Sequence, residues 1–206
     1  AFVQQRYGRE FRLADYFNYI GGTSVGGILA AMLAKGMIVR HPNRQDSDPP
    51  EAYDDIIGFF SRLAPSMFIR KEGPTGLLAK FKAKPLTEEL QNLFKADDGS
   101  DLLFGSKELC ANLLLVLRNG TTGGVWPLSS NPQAEYANLT NPDCNLGYPL
   151  YLLVRASTAA PYYFPAQRFP VGDEEHEFID GGVSPFNNPA FQLFLQAAIP
   201  EYNMEM

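Results

Sequence analysis

A serine framed by glycines near one end of this 206-residue chain, and an aspartate leading two glycines near the other, are the residues best suited to covalent chemistry. The first group, Gly22-Thr23-Ser24-Val25-Gly26, has the form G-x-S-x-G. It follows the apolar-aromatic segment Phe17 to Gly21 and runs directly into a helical pattern. A serine at a sharp strand-to-helix turn projects its hydroxyl alone, and the flanking positions must be small because the backbone folds back on itself; a Cβ at Gly22 or Gly26 is expected to crowd the turn. Ser24 would then sit at a helix N-terminus, where unpaired N–H groups and the helix dipole favour developing negative charge, with the Val25 N–H as the candidate oxyanion donor. A glycine-rich turn of this kind can also cradle phosphate. That reading fits poorly, since no lysine follows before Lys35, and Thr23 stands where a dinucleotide fingerprint needs its second glycine.

The second group is Glu177-Phe178-Ile179-Asp180-Gly181-Gly182. An aspartate at a strand end before two glycines has a carboxylate free to reach a neighbouring element, although the same dipeptide is also a common turn signal. His41 and His176 are the only histidines. His176 lies in the acidic run Asp173 to Glu177 and precedes Asp180, so a histidine-based triad would need another acid, such as Asp143, as orienter. Two histidines and two dispersed cysteines support no metal site, and no cofactor is expected.

Three stretches together resemble the patatin-like phospholipase family: Phe11 to Gly27, Arg155 to Ala166, and Asp180 to Ala190, in the family's order. The resemblance implies a serine lipid acyl hydrolase of phospholipase A type with a Ser-Asp dyad, Ser24 as nucleophile and Asp180 as base. Gly22, Val25, Gly26, Gly181 and Gly182 would be supporting motif positions. The family also carries a glycine-rich D-G-G-G-x-R-G type loop upstream of the serine, and nothing before Ser24 matches it. The chain opens at Ala1-Phe2-Val3, and the expectation is one patatin-like catalytic domain over 1–206 that begins after that loop. An aspartate with a pKa near ~3.9 is a feeble base toward a hydroxyl, so burial would have to raise it. Two alternatives stay open: a non-catalytic lipid-binding or scaffold module with the same fold, and an esterase with a triad built on His176.

The elements that would position these residues alternate between strand and helix. A helical pattern through about Tyr16 leads to a short strand at Phe17 to Gly21, then the elbow helix to Lys35 with Gly36 as its cap. Glu51 to Leu63 reads as a helix ended by Pro65, and Leu86 to Phe94 as another with Thr87 in its first turn. Ala111 to Leu117 is a buried strand by its continuous apolar run, and Trp126 to Asn141 holds only a short strand. A helical pattern resumes over Pro149 to Ala160. Strands surround a turn at Gly172 within Phe169 to Asp180, and a helix occupies Pro189 to Ile199. The expected fold is α/β: a three-layer sandwich with a mainly parallel central sheet and helices on both faces.

A 45% apolar and 13% aromatic composition suits a packed core. A net charge of −6 and a pI near 4.9 argue against nucleic acid as a partner. The longest apolar runs are far short of a membrane span, and a soluble, cytoplasmic chain is expected. Its partner would be a lipid ester substrate, and residues 67–85, where Met67, Phe68, Ile69, Leu77, Leu78 and Phe81 interleave with five cations, are the candidate peripheral membrane contact. Asn119-Gly120-Thr121 and Asn138-Leu139-Thr140 match glycosylation acceptors without a secretory context to give them meaning.

Overall fold

The computed structural model of the chain describes residues 12–49, 54–67, 69–70, 79–137, 140 and 144–202. Asp143, the Asn138-Leu139 pair, the start of the Glu51 helix, most of the opening helical pattern and much of 67–85 lie outside them.

Among the described residues five strands form one sheet: β1 (Tyr19–Thr23), β2 (Asn112–Asn119), β3 (Val125–Ser129), β4 (Gln167–Val171) and β5 (Glu174–Asp180). The α/β sandwich expected from the alternation is present, and its sheet is mixed. β1 and β2 pair in parallel, while β2–β3, β2–β5 and β4–β5 are antiparallel. Short links account for two of the antiparallel pairs: Gly172, at φ 57, turns β4 into β5, and Gly123, at φ 78, turns β2 into β3, whereas the antiparallel β2–β5 pair and the parallel β1–β2 pair are made across long connections, the latter between residues 24 and 111.

Five α-helices lie among the described residues: α1 (Val25–Ala34), α2 (Ile56–Met67), α3 (Ala83–Leu93), α4 (Leu150–Ser157) and α5 (Ala190–Ala198). α1, α4 and α5 pack on the strands, while α2 packs on α3 and α3 on α4. Alternation along β2 assigns the faces. Leu113, Leu115 and Leu117 join the core formed with α1 and α4, where Gly27 allows α1 to approach Leu115. Leu114 points the other way, toward Leu193 of α5, which sits over Gly21. α5 is tied to the sheet by the Tyr19 hydroxyl, which hydrogen-bonds Ser129 Oγ at 2.8 Å and the buried Gln196 side chain. Its outer face leaves Phe191 and Phe194 exposed.

Local signals explain most boundaries. Gly36, at φ 87, ends α1 with N–H bonds from Gly36 to the Leu33 carbonyl and from Met37 to the Met32 carbonyl, the two bonds of a Schellman cap. The Lys35 ammonium donates to the carbonyls of Leu93 and Lys95, at 2.9 Å each, and so neutralises the end of α3 rather than its own helix. Asp55 is buried at the start of α2, where it accepts the Gly58 N–H at 2.5 Å and pairs with Arg44 at 2.7 Å. Several boundaries differ from expectation: the first strand is Tyr19–Thr23, not Phe17 to Gly21, the second runs on to Asn119, and α4 ends at Ser157. At two further helix ends a proline explains the difference. α2 runs through Pro65 to Met67, because a proline in the last turn removes only one late bond. α3 begins at Ala83, placing Pro85 in its donor-free first turn, and Thr87 Oγ1 bonds back to the Ala83 carbonyl inside the helix.

Candidate active site

β1 and β5 end against each other on one edge of β2. Alternate peptides of a strand point to opposite edges, and the N–H groups of Asn112 and Gly120, both even-numbered, bond to Asn18 and Glu177 respectively. The odd-numbered Asn119 N–H turns to Gly124, on the β3 side. Along the shared edge, Thr23 is the last β1 residue, opposite Val116, and Asp180 is the last β5 residue, opposite Leu117. β1 runs parallel to β2 and β5 antiparallel to it, so two C-terminal ends converge on consecutive rungs. Ser24 follows one end and Asp180 forms the other.

Their side chains meet. Ser24 Oγ donates to Asp180 Oδ2 at 2.6 Å, across 156 residues of chain. Ser24 has φ 58 and ψ −131, one of two non-glycine residues with positive φ among those described, and it is the N-cap of α1. The elbow glycines divide in their roles. A Cβ on Gly22 would lie 2.0 Å from the Gly26 carbonyl oxygen, so position 22 cannot carry a side chain in this turn. A Cβ on Gly26 would meet nothing within 4 Å, contrary to the expected crowding, because Gly26 contributes its backbone to the close approach and points outward. Gly181 is the counterpart of Gly22, since its Cβ would lie 2.3 Å from the Val116 oxygen. Gly182 approaches the carboxylate itself: its N–H donates to Asp180 Oδ1 at 2.6 Å, and a Cβ there would come within 2.9 Å of that oxygen.

Asp180 is 3% exposed. Burial raises its pKa above the ordinary carboxylate value, opposed by the hydrogen bonds from Ser24 and Gly182. A carboxylate in this state is a better proton acceptor than a solvated one, and its proton donor lies at hydrogen-bond distance. Ser24 is partly exposed, and the outward-facing Val25, Leu29 and Val183 give the nearby surface an apolar character. The first intrahelical bonds of α1 run from Gly27 and Ile28 to the Ser24 carbonyl, so the Val25 and Gly26 amides are the orphan donors of the helix start.

The structure does not bring His176 to this site. It lies four residues before Asp180 on β5, about 13 Å back at ~3.3 Å per residue, with Phe178 between them on the same face. Its Nδ1 is 2.8 Å from Asn119 Nδ2, and its ring packs near Trp126. His41 sits in the loop before α2, its Nδ1 accepting the Asn43 N–H. A cavity of about 570 Å³ between β3 and α5, walled by Trp126, Leu128, Leu195 and Ile199, includes neither Ser24 nor Asp180.

Two residues of the middle stretch have site contacts that sequence reasoning did not assign. Ser157 Oγ accepts the Ser24 N–H at 3.0 Å, and the Ala159 carbonyl accepts the Asp180 N–H at 3.0 Å. Their only sequence signal was membership of the Arg155 to Ala166 stretch.

A family model and the sequence relatives agree in affiliation. The family model described as patatin-like phospholipase matches residues 2–194. Patatin-like protein 4 of Arabidopsis thaliana is 31% identical over 177 residues, covering 84% of this chain and 40% of that protein. Patatin-2-Kuras 4 of Solanum tuberosum is 28% identical over 186 residues, covering 87% and 43%. The crystal structure of VipD from Legionella pneumophila aligns over 88% of this chain and 42% of that one, at 16% identity and a TM-score of 0.42. The chain thus spans less than half the length of the curated relatives it matches.

Proposed function

The chain belongs to the patatin-like phospholipase family, and from that premise we propose that it is a lipid acyl hydrolase, cleaving carboxylic esters of lipids through an acyl-enzyme on Ser24 with Asp180 as general base. The observation that carries this reading is the 2.6 Å bond from Ser24 Oγ to the buried Asp180 carboxylate at a strained elbow.

In the first half-reaction Ser24 Oγ attacks the ester carbonyl as its proton passes to Asp180 Oδ2. The negative charge forming on the carbonyl oxygen faces the N-terminus of α1, where the Val25 amide and the helix dipole favour it. Collapse of the tetrahedral species breaks the ester C–O bond, and the proton on Asp180 goes to the departing alcohol or lysolipid. Water then enters, Asp180 takes its proton as the water oxygen attacks the acyl carbonyl, and collapse breaks the bond to Ser24 Oγ, releasing fatty acid while Asp180 returns the proton to Oγ.

The substrate approach we assign is peripheral. The Lys80 and Phe81 N–H groups bond to the Tyr162 and Tyr163 carbonyls, and the Lys80 ammonium lies 5.4 Å and 5.7 Å from the Phe81 and Tyr163 rings. Tyr162 and Tyr163 are exposed beside Lys80, a combination suited to a headgroup and acyl boundary. No helix among the described residues is long and apolar enough to cross a membrane. The test is hydrolysis of a short-chain p-nitrophenyl ester and of phospholipid vesicles by the wild-type chain and Ser24→Ala: the variant should lose both activities, and retention of either at the wild-type rate overturns the reading.

A further inference from the structure

Ser157, the last residue of α4, is fully buried, and its hydroxyl stands between two backbone groups. It accepts the Ser24 N–H at 3.0 Å and donates to the Val116 carbonyl at 2.7 Å. A hydroxyl has one proton, so donation to Val116 leaves a lone pair aimed at Ser24 and fixes the direction of the relay. Val116 is the rung at which β1 stops, and the next residue of β2 takes up β5. The Ser157 hydroxyl therefore links α4, the junction of the two strand ends and the amide of the strained residue. Its two hydrogen bonds go to these backbone groups and not to the Ser24 hydroxyl or Asp180.

We propose that Ser157 is a positioning residue for Ser24, holding the elbow in its left-handed conformation and so keeping Oγ in reach of Asp180; the inference rests on the reading of Ser24 as nucleophile. Loss of the hydroxyl takes a partner from both the Ser24 N–H and the Val116 carbonyl. A serine at positive φ has a less strained alternative open to it, and relaxation toward that state swings Oγ away from the carboxylate. Asp180 would then lose the Ser24 bond that opposes the upward pull of burial, and the acid limb of turnover would move to higher pH. A merely structural role would reduce the folded, active fraction and leave both turnover per active site and the acid limb unchanged.

The experiment compares the wild-type chain with Ser157→Ala and Ser157→Cys. Active Ser24 is counted with a fluorophosphonate, and kcat and KM for p-nitrophenyl butyrate are followed across pH. Ser157→Cys fills the same space with a weaker hydrogen-bonding group, and it decides the matter if the alanine variant does not fold. Both variants should show kcat per titrated site lower by about 10- to 100-fold, the scale of a small misplacement of reacting groups, with KM little changed and the acid limb shifted upward. A normalised kcat within about twofold of wild type and an unmoved acid limb would overturn the proposal. Failure of the nucleophile reading looks different: Ser24→Ala would keep wild-type hydrolysis, or wild-type protein would neither label nor turn over, and the inference would fall with it.

Discussion

Ser24 holds a backbone conformation that costs on the order of 1–3 kcal/mol for a residue with a side chain. That cost is tolerated because the turn is fixed from several sides, by Gly22 beneath it, Ser157 on its amide and Asp180 on its hydroxyl. Ser24→Ala removes only the last contact. It should lower hydrolysis of a p-nitrophenyl ester by roughly a thousandfold or more, while circular dichroism and melting temperature stay near wild type. Asp180→Asn should be nearly as damaging to activity, since the amide keeps the shape and cannot accept the proton, whereas His176→Ala should remain within a few-fold of wild type. A reversed order in those two rates would assign the base to His176. Asp180 also predicts a pH signature. Its folded pKa is raised, so the ionised form costs stability, and that cost is absent below the unfolded value near 3.8, grows as pH rises toward the folded value and is constant above it. Asp180→Asn should therefore be more stable than wild type at neutral pH, with the gain vanishing on acidification, as thermal melts across pH would show. Wild-type turnover should fall on the acid side with an apparent pKa above the ordinary carboxylate value.

The elbow, as a strand end joined to a helix start, discriminates between its two glycines. Gly22→Ala places a methyl group on the Gly26 backbone and should prevent the turn from closing, while Gly26→Ala adds a methyl group to open space and should fold normally. Soluble expression and melting temperatures of the two variants check this; equal damage would mean that the turn has other geometry. The G-x-S-x-G pattern by itself could not separate them, since it fixes residue types and not the direction of each Cβ. Helices and strands were readable where their signal was local. The Leu113 to Leu117 run, the Gly36 cap and the Gly172 turn each determine a conformation within a few residues. Strand direction was not readable, because β5 pairs with β2 through contacts more than 50 residues away. The basic and apolar segment 67–85 offers a separate test. Charge reversal at Lys80, Lys82 and Lys84 should weaken binding to anionic vesicles and spare turnover of a soluble ester. Equal loss on both would assign those lysines to folding.

Three stretches far apart in sequence converge on one point of the sheet: the elbow after β1, the end of α4 with the residues after it, and the end of β5. Their co-occurrence made the family recognisable, and Ser24 and Asp180 could be named from it. The task of the middle stretch could not, because Ser157 and the Ala159 carbonyl hold amides of the other two stretches, a relation visible only when β1 and β5 share one edge of β2. The outward face of α5 leaves Phe191 and Phe194 exposed, and Val25 and Leu29 are exposed in the helix that follows Ser24. The most direct measurement is the covalent intermediate. Wild-type protein mixed with a p-nitrophenyl ester, quenched in acid and digested should carry the acyl mass on the peptide containing Ser24, and Ser24→Ala should carry none. An acyl group on another residue, or full turnover without a Ser24 adduct, would contradict the assignment of Ser24 and Asp180 as the reacting pair.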